Sequence, residues 1–223
     1  EEFHILVIDD GSTDNSLEAL EKARATSSRI HLHAYTPNRG KGNALMQGFR
    51  MATKLGFRYA ISLDADGQHF PDDLPIFAEE LSHHDNELIV GSRRFDAPNM
   101  PSGNTFANRF SNFWFAVQTL QRLPDTQTGF RAYPLEKMGN IRLLTPRYEA
   151  ELELLVCCAW RGITLAPVPI RVYYPPKEER ISHFRPGIDF LRISLLNVGL
   201  CLAAIVYGYP ALLFHHLFKQ KEK

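Results

Sequence analysis

The stretch FHILVIDDGSTDNSLEALEKARA (Phe3–Ala25) places a short apolar run, Phe3–Ile8, before Asp9-Asp10-Gly11 and then a helical repeat. A buried strand, a polar turn and a helix in that order are half of a strand–helix–strand unit. The pattern continues outward. IHLHAY (Ile30–Tyr35) alternates as a strand, GNALMQGFRMATKLG (Gly42–Gly56) reads as a helix closed by its last glycine, and YAISL (Tyr59–Leu63) is another buried strand. DDLPIFAEELSHH (Asp72–His84) starts acidic and ends in histidines, as the helix dipole favours, and ELIVGS (Glu87–Ser92) is the next strand. Strands and helices alternating at this spacing predict an α/β fold, a mostly parallel sheet with helices on its faces.

The second half is less regular. A helix is expected within Asn104–Leu120, a turn-rich loop at PDTQTG (Pro124–Gly129) and a strong helix over EAELELLVCCAWRG (Glu149–Gly162). ITLAPVPIRVYYPP (Ile163–Pro176) reads as a strand pair or a bent strand broken by prolines. With 223 residues, 44% of them hydrophobic and 22% charged, the chain can bury one sizeable core. Basic and acidic residues balance at 25 each, so no global field favours nucleic acid. Cys157, Cys158 and Cys201 lack metal-type spacing, and adjacent cysteines make poor disulfides; they read as buried thiols of a reducing compartment. From Ile193 to Phe218 no Asp, Glu, Lys or Arg occurs, and KQKEK follows. That length suits a bilayer, while Pro210 would kink any helix through it.

In a parallel sheet, ligands bind beyond the carboxyl ends of the strands. Both acidic clusters fall there: Asp9-Asp10 after the first strand, Asp64-Ala65-Asp66 after the third. Each alone reads as a turn, with Ser12, Thr13 or Asp14 capping the helix after the first. Two of them, on alternate strands, point to a ligand. ISLDADGQH (Ile61–His69) is no EF-hand loop, because His69 and Pro75 stand where Gly and Glu are required. Carboxylates without a His or Cys ligand set suit a hard cation, Mg2+ or Mn2+, bridged to phosphates, with Gln68 adding an amide oxygen. NRGKGNAL (Asn38–Leu45) is no Walker A loop and no GxGxxG occurs, so neither ATPase nor dinucleotide chemistry is supported. Its glycine-rich turn still admits a nucleotide, with Lys41 near the charge.

VIDDGSTDNS, NRGKGNALMQGF, LDADGQHFPDDL, VGSR and DTQTGFRAY occur in the order and spacing of family 2 glycosyltransferases of the GT-A fold. The chain resembles them over residues 3 to 185, most of all the branch of polyprenyl-phosphate (dolichyl-phosphate) mannose and glucose synthases. The resemblance implies a Rossmann-like GT-A domain over 1–187 and a membrane-associating helical segment with a basic tail over 188–223. It also implies roles. Asp9 and Asp10 contact the base and ribose of a nucleotide sugar, with Asn38, Lys41 and Asp64 in the same pocket. Asp64 and Asp66 match the DxD motif, Asp66 as the main metal ligand and Gln68 assisting. Arg93, Arg109 and Ser111 match positions that hold the acceptor phosphate and sugar diphosphate. Asp125 stands for the acceptor-side acid and Arg131 for a structural or phosphate-binding arginine. Arg180, with Ser182, resembles a mobile segment that closes over the donor. Two departures stand out. The family's opening strand, with an Ile-Pro-x-Tyr/Phe-Asn-Glu-like pattern, does not occur in this sequence, and RISHFRPG (Arg180–Gly187) lacks the branch's glycine-serine-lysine order.

The reaction implied is an inverting, metal-dependent transfer of a hexose from a GDP- or UDP-linked sugar to a polyprenyl phosphate at the cytoplasmic face of a membrane. Asp66, Asp125, Arg93 and Arg131 form its expected catalytic set. A phosphate acceptor is already ionised and needs arginines to place it more than a base. If the acceptor is instead a hydroxyl of a glycolipid or polysaccharide, Asp125 is the candidate base. A third reading is an inactive, membrane-tethered nucleotide-sugar-binding module. His83-His84 and His215-His216 read as helix-end or interface residues, and FSNFWF (Phe110–Phe115) as core or membrane-facing packing.

Overall fold

The computed structural model describes residues 3–93, 102–174 and 186–219. β1 (Ile5–Asp9), α1 (Ser16–Thr26) and β2 (Ile30–Ala34) make the expected unit, with β1 and β2 parallel. α2 (Lys41–Lys54) leads to β3 (Tyr59–Ser62), and α3 (Leu74–His83) to β4 (Leu88–Arg93). Gly56, at φ +85°, turns the chain out of α2, a conformation that costs glycine little. Then follow α4 (Ser102–Thr119), β5 (Arg131–Pro134), a single turn α5 (Leu135–Met138), α6 (Ala150–Trp160) and β6 (Leu165–Ile170). The C-terminal helix comprises α7 (Pro186–Ala203), a π-helical turn at Ala204–Gly208 and α8 (Tyr209–Lys219).

Among the described residues the strands form two sheets, β1–β2 and β3-β5-β4-β6. β4 and β6 are parallel, but β5 runs against both β3 and β4. The parallel expectation is amended there for a simple reason. The loop before β5 starts at the carboxyl end of β4, where Asp125 meets Arg93, so the strand must run back between its neighbours. β6 is an edge strand whose Pro167 and Pro169 lie opposite Val90 and Ser92. Both prolines stand on one alternation of the strand, so their missing N–H groups fall on its unpaired side. Of the two alternatives, a strand pair or one strand broken by prolines, the structure has the single strand, an edge strand followed by an isolated bridge from Val172 to His69.

β4 carries the core. Leu88, Ile89 and Val90 are fully buried between Phe77 of α3, Phe115 of α4 and Leu154 and Leu155 of α6, which explains the unbroken apolar run of the strand. β1 and β2 are mostly half-buried, and α1 buries no residue.

The C-terminal helix rests one side on α4 and α6. Asn197 Oδ1 accepts from Gln118 Nε2 at 2.8 Å, and the Tyr209 hydroxyl donates to the Val117 carbonyl. At Gly208 an added Cβ would come within 2.4 Å of the Trp160 ring, so the glycine permits that contact. Pro210 does not break the helix. Its missing N–H would have served Val206, which lies inside the π-helical turn, where the ladder has already changed register. Phe190–Leu217 is long and apolar enough to cross a membrane; 17% of its most apolar window is buried, so it is no core helix. The boundary expected between residues 187 and 188 falls inside α7.

Candidate active site

The carboxyl ends of β1, β3 and β4 deliver the candidate residues to one rim. Asp9 is only 6% exposed, and its Oδ1 accepts the Ser12 N–H at 2.8 Å, closing the turn into α1. Asp10 faces the following loop instead. Its two carboxylate oxygens accept the N–H groups of Arg39 and Gly40, each at 2.7 Å, and its carbonyl accepts Asn38 Nδ2 at 2.8 Å. Gly40 sits at φ +94°, and a Cβ there would lie 2.4 Å from the Pro146 carbonyl oxygen. Only glycine brings the chain through that gap to start α2 at Lys41.

Lys41 then reaches inward. Its Nζ lies 2.7 Å from Asp64 Oδ1 and 3.0 Å from Glu151 Oε2. Burial opposes the ammonium charge, but Glu151 and Asp64 outweigh it and push the Lys41 pKa up. Burial also pushes the Glu151 carboxyl up, while Lys41 and Arg131 pull it back. Glu151 is absent from the sequence-based set. Its signal is a carboxylate on a helix whose neighbours Leu152, Leu154, Leu155 and Val156 are all buried. The other acid there, Glu153, braces the N–H groups of Leu144 and Thr145.

Asp66 is exposed, and its Oδ1 accepts the Gln68 N–H at 3.0 Å. Among the described residues no group of three or more His, Cys, Asp and Glu is arranged to hold an ion. The local donors nevertheless fit a hard cation that takes much of its shell from water and ligand oxygens. They are oxygen only, and Asp66 offers an acceptor-only carboxylate open to solvent. Asp64, shared with Lys41, is the less available of the two.

The loop before β5 closes the rim. A Cβ at Gly129 would lie 2.6 Å from Asp64 Oδ2, so this glycine lets the loop abut the first DxD aspartate. Asp125, in the same loop, is wholly buried and accepts five hydrogen bonds. They come from Arg93 Nε (2.6 Å), Nη2 (2.9 Å) and N–H (3.2 Å), Asn108 Nδ2 (2.7 Å) and the Gln127 N–H (3.0 Å). Burial disfavours the carboxylate, yet Arg93 prevails and holds its pKa below the ordinary value. A carboxylate so engaged has no lone pair to take a proton from a sugar hydroxyl, which corrects the expectation of a base at this position.

Two further expectations change. Arg131 is completely buried, donating to the carbonyls of Glu151 (2.9 Å) and Thr126 (3.0 Å) and to the Tyr133 hydroxyl (3.3 Å). It braces α6 against the Asp125 loop and cannot touch a substrate, so it leaves the catalytic set. Ser111 is also buried and accepts from Thr126 Oγ1 at 2.7 Å, serving the loop in place of a phosphate. Arg109 is exposed on α4. Asn108, which fixes Asp125, was not anticipated. Arg180 and Ser182 lie outside the described residues.

Three clusters thus stand in series: Asp10 with its loop, Lys41 with Asp64 and Glu151, and Arg93 with Asp125. Residues 1–136 match the family model described as Glycosyl transferase family 2. The chain is 28% identical over 215 residues to a UDP-N-acetylglucosamine–dolichyl-phosphate N-acetylglucosaminyltransferase of Methanococcus voltae, across 88% of this chain and 86% of that protein. It is 27% identical over 175 residues to an undecaprenyl-phosphate mannosyltransferase of Micrococcus luteus, across 76% and 71%. Glucosyl-3-phosphoglycerate synthase of Mycobacterium tuberculosis, crystallised with Mn2+, UDP and phosphoglyceric acid, matches with a TM-score of 0.59. That match covers 90% of this chain and 67% of the other at 18% identity, a likeness of fold.

Proposed function

The chain belongs to glycosyl transferase family 2 and has the GT-A fold, and from that premise we propose that it moves a hexose from a GDP- or UDP-linked sugar onto a polyprenyl phosphate at a membrane. The observation that carries this reading is the state of Asp125. A hydroxyl acceptor needs a base, whereas a phosphate arrives ionised and needs cations to place it. Asp125 is saturated by donors, and the cation it fixes is Arg93, at the carboxyl end of β4. Exposed Arg109 offers a second cation on α4. The names of the relatives support the same acceptor class, one dolichyl phosphate and the other undecaprenyl phosphate.

In this reading Asp10, Asn38 and the loop to Lys41 receive the nucleotide, while Asp9 holds the turn behind them. Asp66, with Asp64 and Gln68, would hold Mg2+ or Mn2+, which when bound neutralises charge on the departing diphosphate. Mn2+ accompanies UDP in the synthase of similar fold. Lys41 supplies fixed positive charge beside that site, anchored from behind by Glu151. Arg93 and Arg109 set the acceptor phosphate in line with the anomeric carbon. Its oxygen forms the new bond to that carbon as the bond to the diphosphate breaks, so configuration inverts and the nucleoside diphosphate leaves with both electrons. The acceptor side lies at the cytoplasmic face, where nucleotide sugar and lipid phosphate meet.

A lipid-extraction assay tests this. The protein meets polyprenyl phosphate, Mn2+ or Mg2+, and labelled GDP- and UDP-sugars. Cation-dependent label in the organic phase is expected, falling roughly a hundredfold or more in Asp66→Ala, the scale of losing one electrostatic stabiliser of the leaving charge. Label that appears on a glycolipid hydroxyl and ignores polyprenyl phosphate would overturn it.

A further inference from the structure

A single ammonium serves two carboxylates behind the candidate rim. Lys41 Nζ lies 2.7 and 2.9 Å from the two oxygens of Asp64 and 3.0 Å from Glu151 Oε2. The two acids differ in outlook. The Asp64 side chain is 32% exposed and that of Glu151 14%, so the first faces the rim and the second stands behind it. Backbone contacts hold this group together. An added Cβ on Gly42 would collide with the Ala150 methyl, so α2 and α6 touch at the residues beside Lys41 and Glu151. Arg131 donates to the Glu151 carbonyl at 2.9 Å, fixing the backbone from which that carboxylate reaches. Both acids also crowd one glycine: a Cβ at Gly129 would stand 2.6 Å from Asp64 Oδ2 and 3.2 Å from Glu151 Oε1.

A brace between α2 and α6 needs one carboxylate for the lysine. A second adds like charge in a place largely withdrawn from water, which is unfavourable unless another cation joins it. Both oxygens of Asp64, read above as a cation ligand, are meanwhile taken up by Lys41. For Asp64 to turn to a divalent cation, the ammonium must give way. Without a second counterion it would be left unpaired beside an ion of its own sign.

We propose that Glu151 is a positioning residue for the cation site, a second seat that keeps Lys41 paired while Asp64 turns to Mg2+ or Mn2+. This role rests on the reading of Asp64 and Asp66 as ligands of that ion. Lys41 gives up one partner and keeps the other, so its charge stays beside the departing diphosphate. Glu151 thereby sets cation affinity through Lys41, without being a ligand itself.

Mn2+ titrated into the full chain with UDP or GDP present, followed by water-proton relaxation, reports the protein-bound ion without turnover. Glu151→Gln should weaken Mn2+ binding about tenfold or more, the lower end of what changes behind a metal ligand cost. Glu151→Asp, which keeps the charge but draws it back, should lose less. Adding Lys41→Met to Glu151→Gln should restore most of the lost affinity, since no ammonium is left to hold Asp64; a mere brace of the fold would not be restored. In an Asp64→Asn chain, itself weaker, Glu151→Gln should cost no more than about twofold further, because the contested ligand is gone. A loss of the same size with Asp64 and with Asn at that position would make Glu151 a distant charge and overturn the inference. So would unchanged binding in Glu151→Gln, or no recovery on adding Lys41→Met. Mn2+ uptake that is absent from the native chain, or that survives Asp66→Ala, sinks the reading of the site and this role with it. Uptake lost in Asp66→Ala but indifferent to Glu151→Gln sinks the role of Glu151 alone.

Discussion

Asp125 keeps its charge inside the protein because Arg93 reaches it with two side-chain N–H groups and its own backbone N–H. Removing one partner of such a pair strands the other, so Arg93→Ala should cost roughly 3–5 kcal/mol of stability at neutral pH. The pH dependence should change sign as well. In the native chain the folded pKa of Asp125 lies below its unfolded value of about 4, so its stabilisation is present above that pH and is lost as pH falls through the folded pKa. In the variant, burial, the largest influence on this carboxyl, is opposed only by the hydrogen bonds from Asn108, Gln127 and the backbone N–H of residue 93, and raises the pKa, so the penalty grows as pH rises. Urea unfolding of both proteins at pH 5 and 7 checks this. The variant should gain on the native protein at pH 5, and an equal deficit at both values would refute the account. The acids were readable because Asp9, Asp10, Asp64 and Asp66 each end an apolar run. Which groups the protein spends on itself was not. The burial of Arg131, the turn held by Asp9 and the meeting of Lys41 with Glu151 depend on segments far apart in sequence, where no local pattern reports them.

At the scale of elements, periodicity found most helices and strands but not β5, and the parallel direction inferred from their alternation does not hold for that strand. β5 is too short to show whether it runs with or against its neighbours; only the Arg93–Asp125 pairing at its start decides that. The C-terminal helix was likewise visible as apolar and undetermined as to partner, because a residue such as Gly208 shows its purpose only once Trp160 is placed against it. Gly208→Leu should therefore be destabilising by about 1–3 kcal/mol through overpacking. Leucine favours a helix more than glycine does, so helical circular dichroism should persist. Trp160 emission should shift as the ring gains access to water. Unchanged stability and emission would mean that the helix does not pack on α6 in this way.

Across the whole molecule, burial is uneven in a way that bears on how a nucleotide would be held. β4 and α6 are packed on all sides, while β1 and β2 are half-exposed and α1 buries nothing. Opening free energies follow local burial, so amide exchange should be slowest in β4 and α6 and markedly faster in β1, α1 and β2. The candidate nucleotide loop hangs from the weaker unit, through Asp10 and the N–H groups of Arg39 and Gly40. A ligand that binds only the closed loop stabilises it by mass action, about 2.7 kcal/mol at a hundredfold excess over Kd. Hydrogen exchange with and without UDP or GDP plus Mn2+ should then show slowing of roughly a hundredfold confined to β1, β2 and residues 38–41. β4, already at the limit set by global unfolding, gains only what global stability gains. If protection rises at β4 and not at residues 38–41, the nucleotide binds elsewhere and the Asp10 loop is a structural turn. If it rises at the loop, the less buried part of the fold is the part that the donor orders.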